Sequence, residues 1–266
     1  MAVKVHVLGS GGGGEPLRGC HHTAFMVEAA GRLYMFDAGE GAARTAFLAG
    51  LDFSRLQALF ISHPHIDHTG GLPMLLDLAS RRAGTPAVFI PEPRFWRNLL
   101  NLMRHISDRC LDERGRLVFA DRRPAPVETL RDGLVLDDGT VTVEARHNFH
   151  LGMEPSPEDG RFHSYSFRLR GEGKTVVFSG DVRSHRDMGD WLAEPVDLLL
   201  MDSTHQAPAE TCAALRQMEA PVAQILFCHL GRSFVGACDE ARRKVEAAWG
   251  RHVLFAEDGA AYEVVG

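Results

Sequence analysis

Four side chains of types that bind metal ions in proteins fall within six consecutive positions, as His63, His65, Asp67 and His68. They follow an apolar, strand-like run and precede a helical pattern, so they occupy a tight turn between a strand and a helix. In extended backbone His63 and His65 face the same way, whereas Asp67 and His68 lie at the helix start and point elsewhere. Imidazole nitrogen and carboxylate oxygen together suit zinc, manganese or iron. The turn therefore predicts the beginnings of two adjacent metal sites.

The pattern His63-x-His65-x-Asp67-His68 resembles the signature of the metallo-β-lactamase fold superfamily. The N-terminal part of the chain is more narrowly similar to the ribonuclease Z and phosphodiesterase branch, through VLGSGG at 7–12, FDAGEG at 36–41 and GGLP at 70–73. Weaker similarity extends to Asp258-Gly259. The resemblance implies an α/β fold, the αβ/βα four-layer sandwich, and a metal-dependent hydrolase.

The resemblance also implies a third histidine that joins His63 and His65 on the first ion. Two candidates follow a strand predicted at 141–145, namely His147 and His150. The spacing between strand and ligand in the family pattern favours His150 and leaves His147 as the alternative.

On the second ion, the resemblance places Asp67 and His68 together with His229, which follows the last strongly apolar strand. Asp181 follows a strand in a Gly-Asp segment and would bridge the two ions. Two oxygens on one short side chain can span ions about 3.5–4 Å apart.

The expected cofactors are therefore two divalent metal ions, with Zn²⁺ favoured and Mn²⁺ or Fe²⁺ as alternatives. A bound metal lowers the pKa of water from about 15.7 to about 7, so a bridging hydroxide would be the attacking group. Asp67 is expected to orient that hydroxide. His205 is the candidate general acid, with a structural or rim position as the alternative.

Several residues depart from the ribonuclease Z pattern. Ile66 stands where that family usually has glycine, and its His-Glu-Ala-Thr motif aligns with 201–204, where only an acid, Asp202, and Thr204 match. The later His-Ser-Thr motif and the Gly/Pro-rich tRNA-binding arm have no counterpart. These departures favour a phosphodiesterase acting on small, cyclic or nucleotide-like phosphodiesters over tRNA 3′ processing by a ribonuclease Z-like enzyme. Further alternatives are a hydrolase of another ester, a thioester or a lactone, and a non-catalytic metal-binding scaffold.

The elements around the turn predict one domain over residues 1–266. Strands and helices alternate, which favours sheets covered by outer helices. An arginine-rich insertion around 94–123 interrupts the rhythm with a helical pattern at 95–103. Its roles left open are a lid, a homodimer surface, a nucleic-acid contact or a plain surface segment with an apolar inner face. The helix predicted at 72–82 follows the turn, and a final hairpin is predicted from 253–259 and 262–265.

Composition limits the partners. A net charge of −6 and a pI near 6.1 disfavour RNA as the substrate without excluding a local basic patch. No apolar run approaches the roughly 20 residues that span a bilayer, and the N-terminus lacks signal-peptide features. Five scattered cysteines, among them Cys238, predict reduced thiols and a cytoplasmic location.

Three further segments are expected near the site. Asp37, by resemblance, supports the ligand turn through hydrogen bonds instead of binding metal. The glycine run at 9–14 is expected at the floor or rim of the site, or as a plain turn, and it lacks the Lys-Ser/Thr of a P-loop. His21 and His22 are expected at the rim, with metal binding as the less favoured alternative.

Overall fold

Strands and helices alternate along the chain in a computed structural model that describes residues 2–232, 234 and 239–265. The strands of this part are β1 Lys4–Gly9, β2 Ala24–Ala29, β3 Arg32–Phe36, β4 Leu56–Phe60, β5 Ala87–Ile90, β6 Val127–Thr129, β7 Gly133–Asp137, β8 Val141–His147, β9 Tyr165–Gly171, β10 Lys174–Phe178, β11 Val196–Asp202, β12 Val222–Cys228, β13 Leu254–Phe255 and β14 Ala261–Glu263. The helices are α1 Ala42–Leu48, α2 Ile66–Thr69, α3 Leu72–Ala79, α4 Pro93–Ile106, α5 Pro208–Gln217 and α6 Asp239–Trp249, with 3₁₀ segments at Phe53–Arg55, Asp108–Cys110 and His185–Ala193.

Within these residues the strands form two seven-stranded sheets that lie face to face. The first has the order β14-β1-β2-β3-β4-β5-β6 and the second the order β13-β12-β11-β10-β9-β8-β7. One apolar core fills the space between the sheets, a second lies under α1, α3 and α4, and a third under α5 and α6. The predicted four-layer αβ/βα sandwich is confirmed.

Aromatic rings fix the distance between the two sheets. Phe60 of β4 stacks on Phe36 of β3 and on Phe89 of β5, with ring centroids 4.9 and 4.7 Å away. Phe167 of β9 meets this stack from the opposite sheet at 5.4 Å from Phe36 and 5.6 Å from Phe60. Buried aromatic pairs of this kind contribute about 0.5–1.5 kcal/mol beyond their burial. The strand ends that carry the polar residues are thereby held in register across the sandwich.

The arginine-rich insertion begins with α4, as its helical pattern predicts. Trp96, Leu99 and Met103 are buried in the core beneath the first sheet, whereas Arg97 and Arg104 are exposed. The segment therefore has the apolar inner face expected of a packed surface insertion.

The predicted final hairpin is wrong. β13 pairs in parallel with β12 of the second sheet, and β14 pairs antiparallel with β1 of the first, so the chain crosses between sheets at this point. Long-range bonds outweigh the local pairing, since Val7 donates to the Ala260 carbonyl and Gly259 donates to the Val7 carbonyl. The Asp258 carboxylate in this turn also accepts from Ser10.

Three smaller expectations concern the helix after the ligand turn, the bilayer and the cysteines. The helix predicted at 72–82 ends at Ala79, with Ser80 as its C-cap. No helix in the described ranges combines the length and apolar character needed to cross a bilayer. Cys20, Cys212 and Cys228 are free thiols, whereas Cys238 lies outside the described residues.

Candidate metal centre

Loops from both sheets meet at one end of the sandwich and bring the predicted ligands together. The ligand turn leaves the end of β4, and α2 begins within it. The loops after β8, β10 and β12 supply the other members. The converging side chains are His63, His65, Asp67, His68, His150, Asp181 and His229, each with a ligand atom in one of two overlapping groups.

The first group holds three histidines and one carboxylate. The ligand atoms of His63, His65, His150 and Asp181 all lie within 4.8 Å of one another. His150 Nε2 is 3.1 Å from His65 Nδ1, and it is 3.6 Å from Asp181 Oδ2. Several imidazole nitrogens thus converge on one point beside a carboxylate oxygen, which is the donor set of a transition-metal site.

The second group holds two histidines and two carboxylates. Asp67, His68, Asp181 and His229 again place their ligand atoms within 4.8 Å of one another. His229 Nε2 is 3.1 Å from Asp67 Oδ2 and 3.2 Å from Asp181 Oδ2. Because Asp181 belongs to both groups, the arrangement suits a dinuclear site with a shared carboxylate.

Buried polar atoms without partners support this fit. His63 Nε2, His68 Nε2 and Asp181 Oδ1 are buried and make no hydrogen bond to any described residue. His68 Nε2 and Asp181 Oδ1 approach to 3.0 Å without the alignment that a hydrogen bond needs. Unpaired buried polar groups cost free energy, and metal ions would satisfy these atoms. The residues present therefore fit two divalent ions.

Protonation of the histidines differs between the two groups. In the first, burial lowers the pKa of His63, and it lowers the pKa of His150 to about 4. Both rings are then neutral, which is the form that binds metal. In the second group, burial also acts to lower the pKa of each histidine, but nearby carboxylates outweigh it. Asp181 and Asp37 raise the pKa of His68. Asp181, Asp202 and Asp67 raise the pKa of His229 to about 10. Protons on these two rings balance the buried carboxylates, a role that a divalent cation fills more fully.

Asp37 supports the ligand turn, as the family resemblance implies. Its Oδ2 is 2.7 Å from His68 Nδ1, and its two oxygens accept from the backbone and the hydroxyl of Ser62, each at 2.7 Å. A carboxylate on Nδ1 directs the other nitrogen of His68 toward the cluster. Asp37 has no ligand atom in either group and is completely buried.

Asp202 has a double role that sequence reasoning did not identify. Its Oδ1 is 3.2 Å from His229 Nδ1, and its Oδ2 is 2.7 Å from His205 Nδ1. Although burial favours the neutral acid, these two histidines hold the pKa of Asp202 well below its usual range. The ionised carboxylate bonds to the His205 ring and lies beside His229 Nδ1, which makes no aligned hydrogen bond within the described residues. A third convergent group, Asp181, Asp202, His205 and His229, results. The position of Asp202 at the end of a buried strand was the available signal.

His147 lies outside the cluster. Its Nδ1 is 2.6 Å from Asp132 Oδ2, and its ring stacks on Phe162 at 4.0 Å. The structure therefore brings His150 to the candidate site and directs His147 elsewhere. His21 and His22 also lack a place in the three groups, and His21 Nδ1 lies 3.4 Å from Glu40 Oε2.

The glycine run covers the second group. The Gly13 amide donates to Asp67 Oδ2 at 2.7 Å. Gly12 lies so close to His229 that a Cβ there would stand 2.3 Å from the imidazole Cγ and Nδ1. The run therefore lies against the site, and glycine at position 12 is required by the close approach of backbone to ring.

A family model described as the metallo-beta-lactamase superfamily matches residues 17–229. The chain belongs to the metallo-β-lactamase superfamily. It is 40% identical to a ribonuclease Z of Salinibacter ruber, in an alignment that covers 91% of this chain and 89% of that protein. It is also 36% identical to a ribonuclease Z of Treponema pallidum, but there the match spans only 42% of this chain and 36% of that relative.

Solved structures share the fold at low sequence identity. The metallo-beta-lactamase fold protein YhfI from Bacillus subtilis has a TM-score of 0.72 and 18% identity, and the alignment covers 99% of this chain and 100% of that one. Human tRNase Z, short form, has a TM-score of 0.71 and 21% identity, and the alignment covers 99% of this chain and 100% of that one. A diphosphatase from the PhnP family has a TM-score of 0.67 and 16% identity, and the alignment covers 99% of this chain and 97% of that one.

Gly12→Ala should weaken zinc binding because the new methyl group must displace the His229 ring or the loop that holds Asp67. We expect a loss of affinity on the order of 10–100-fold, as when support of a metal ligand is removed. Competition with a chromogenic chelator measures it. Gly14→Ala is the matched control, since a Cβ at that position meets nothing within 4 Å. Equal zinc affinity in both variants would contradict the account.

His150→Ala should lose more bound metal than His147→Ala, because only His150 reaches the cluster. Elemental analysis of the zinc-loaded proteins gives the number of ions per chain. We expect His147→Ala to retain the wild-type content. The reverse order would reassign the third histidine of the first ion.

Proposed function

We propose that this chain is a dinuclear metal-dependent phosphodiesterase that hydrolyses small, cyclic or nucleotide-like phosphodiesters. The observation that carries the proposal is the sharing of Asp181 between two groups of ligand atoms. In this assignment His63, His65 and His150 would hold one ion, Asp67, His68 and His229 would hold the other, and both groups would share Asp181. Two bound ions would supply an activated water and stabilisation of charge on the oxygens of a phosphodiester.

Asp67 is proposed to orient the attacking group. Its Oδ2 accepts from Gly13 and lies beside His229, so the carboxylate is fixed in direction. Burial acts against ionisation, but His229 and His68 hold its pKa well below the usual range. Asp67 therefore stays ionised at neutral pH and can orient the attacking oxygen by accepting a hydrogen bond from it.

His205 is proposed as the general acid. Its Nδ1 donates to the ionised Asp202, which raises the pKa of His205 and leaves Nε2–H as the free donor. Its ring stands 4.6 Å from that of His150 and 5.4 Å from that of His229, yet about a third of the side chain is exposed. This position at the open side of the cluster suits proton donation to a leaving oxygen.

Cleavage of RNA by a ribonuclease Z-like reaction is the second candidate. It is favoured by the Salinibacter ruber relative, which carries that name and aligns over 89% of its length. Arg97 of the insertion is exposed and could contact phosphate, whereas the exposed Arg104 donates to the Arg114 carbonyl. Others are occupied, since Arg94 pairs with Glu158 and Arg116 with Asp112.

Metal-reconstituted protein should hydrolyse bis(p-nitrophenyl) phosphate and small cyclic phosphodiesters, and Asp67→Ala should abolish this activity because the oriented acceptor is lost. Circular dichroism of the variant checks that the fold is retained. A precursor tRNA is tested in parallel, and cleavage on its 3′ side would support the second candidate. Absence of turnover on all three substrates would contradict both candidates, and near-normal turnover by Asp67→Ala would contradict the mechanism.

His205→Ala should slow diesters with alkoxide leaving groups by about 10²–10⁴-fold, because such groups need a proton as they depart. Hydrolysis of bis(p-nitrophenyl) phosphate should change little, since p-nitrophenolate leaves without protonation. The ratio of the two kcat/KM values is the measurement. His252→Ala, a surface histidine paired with Glu246, is the control. An equal loss on both substrates would exclude His205 as the general acid.

A further inference from the structure

A short 3₁₀ segment outside the ligand cluster contacts the loops that carry three of its residues. The segment His185–Ala193 follows β10 and starts at the N-cap Ser184, whose hydroxyl accepts from the Arg186 amide. Gly189, with a φ of 56°, kinks it into two short helical parts. Met188, Trp191 and Leu192 are buried in the core beneath the second sheet. The segment is thus anchored in the core independently of the cluster, and its first turn faces the ligand loops.

Asp187 joins two of these loops through one atom. Its Oδ2 accepts from the Phe149 amide at 3.2 Å and from the Arg183 amide at 2.9 Å. Phe149 directly precedes His150, and Arg183 stands two residues after Asp181. The carboxylate is largely buried, so solvent does not replace these bonds. One oxygen therefore fixes the spacing between the backbone of His150 and the backbone of Asp181.

The same segment reaches the loop of the proposed general acid. Gln206 directly follows His205, and its Oε1 accepts from the His185 amide at 2.8 Å. It also lies 3.2 Å from His185 Nδ1. The loops after β8, β10 and β11 are thus tied to one anchored element.

A second link runs parallel to Asp187. The Asn148 amide group donates to the Ser179 carbonyl at 3.4 Å, and its Oδ1 accepts from the His150 amide at 3.2 Å. Because this link persists without Asp187, removing the carboxylate should loosen the spacing of the two loops and leave the fold in place.

We propose that Asp187 is a positioning residue for the first metal ion: by holding the Phe149 and Arg183 amides it sets the distance between His150 and Asp181. The proposal rests on the ligand assignment of the proposed function. A carboxylate suits this task, since bonds from backbone amides to an ionised acceptor are roughly twice as strong as neutral ones. Asp187 itself has no ligand atom in the convergent groups of the described residues.

The test is a zinc titration of metal-free protein against a chelator, which separates two binding steps when the two sites differ in affinity. His65→Ala identifies the step that belongs to the first ion. Asp187→Ala should weaken that step by about 10–100-fold, as removal of outer-shell support does, and leave the other within about twofold. Asp187→Asn keeps an oxygen acceptor but loses the charge, so it should weaken the same step by a smaller factor than Asp187→Ala.

Asp190→Ala is the matched control, because Asp190 lies on the same segment but pairs with Arg146 at an exposed position. It should leave both steps unchanged. An unaltered titration of Asp187→Ala, or equal weakening of both binding steps, would overturn the inference. Thermal unfolding of the metal-free variants detects a general loss of stability. If Asp187→Ala fails to fold, a selective weakening of the first step in Asp187→Asn supports the inference and its absence overturns it. Wild-type protein that binds no pair of ions would instead refute the proposed function.

Discussion

The carboxylate of Asp181 is almost fully buried, at 2% exposure, and nearby nitrogens of His63, His68, His150 and His229 lie between 3.0 and 3.7 Å from its oxygens. A charge in that position is very costly unless cations balance it. Protons on His68 and His229 can supply part of the balance, and two divalent ions supply it fully. The other polar residues of the site can be understood as consequences of this requirement. Asp37 bonds to the His68 ring that faces Asp181, Asp202 lies beside the His205 and His229 rings, and the glycine run lies against Asp67 and His229.

The sandwich makes this concentration of charge stable by separating it from the apolar core. Phe36, Phe60 and Phe167 hold the sheets together, and the polar loops extend from the strand ends beyond these rings. The turn in which the chain crosses from β13 to β14 contributes hydrogen bonds at the same end of the molecule. In this crossing Asp258 accepts from Ser10, at the start of the glycine run, and from the His21 amide. A C-terminal turn far along the chain thereby helps to place the loop that covers His229.

How much the sequence predicted depends on the range of the interactions. His63, His65, Asp67 and His68 lie within one turn, so local spacing was sufficient to predict them as the beginnings of two adjacent metal sites. Asp181 and His229 required the family resemblance, and the choice between His147 and His150 required the structure, because Asp132 and Phe162 draw His147 away. Asp202 and Asp187 were not predicted, since each acts on partners that only tertiary folding brings near. The hairpin prediction failed for the same reason: bonds from Val7 and Gly259 to distant partners outweigh local pairing.

Anomalous diffraction from crystals of the zinc-loaded protein, recorded on both sides of the zinc absorption edge, tests the central claim most directly. The account predicts two zinc peaks about 3.5–4 Å apart, with Asp181 between them, His63, His65 and His150 around one and Asp67, His68 and His229 around the other. A single peak, or a pair of peaks in which Asp181 contacts only one ion, would contradict it.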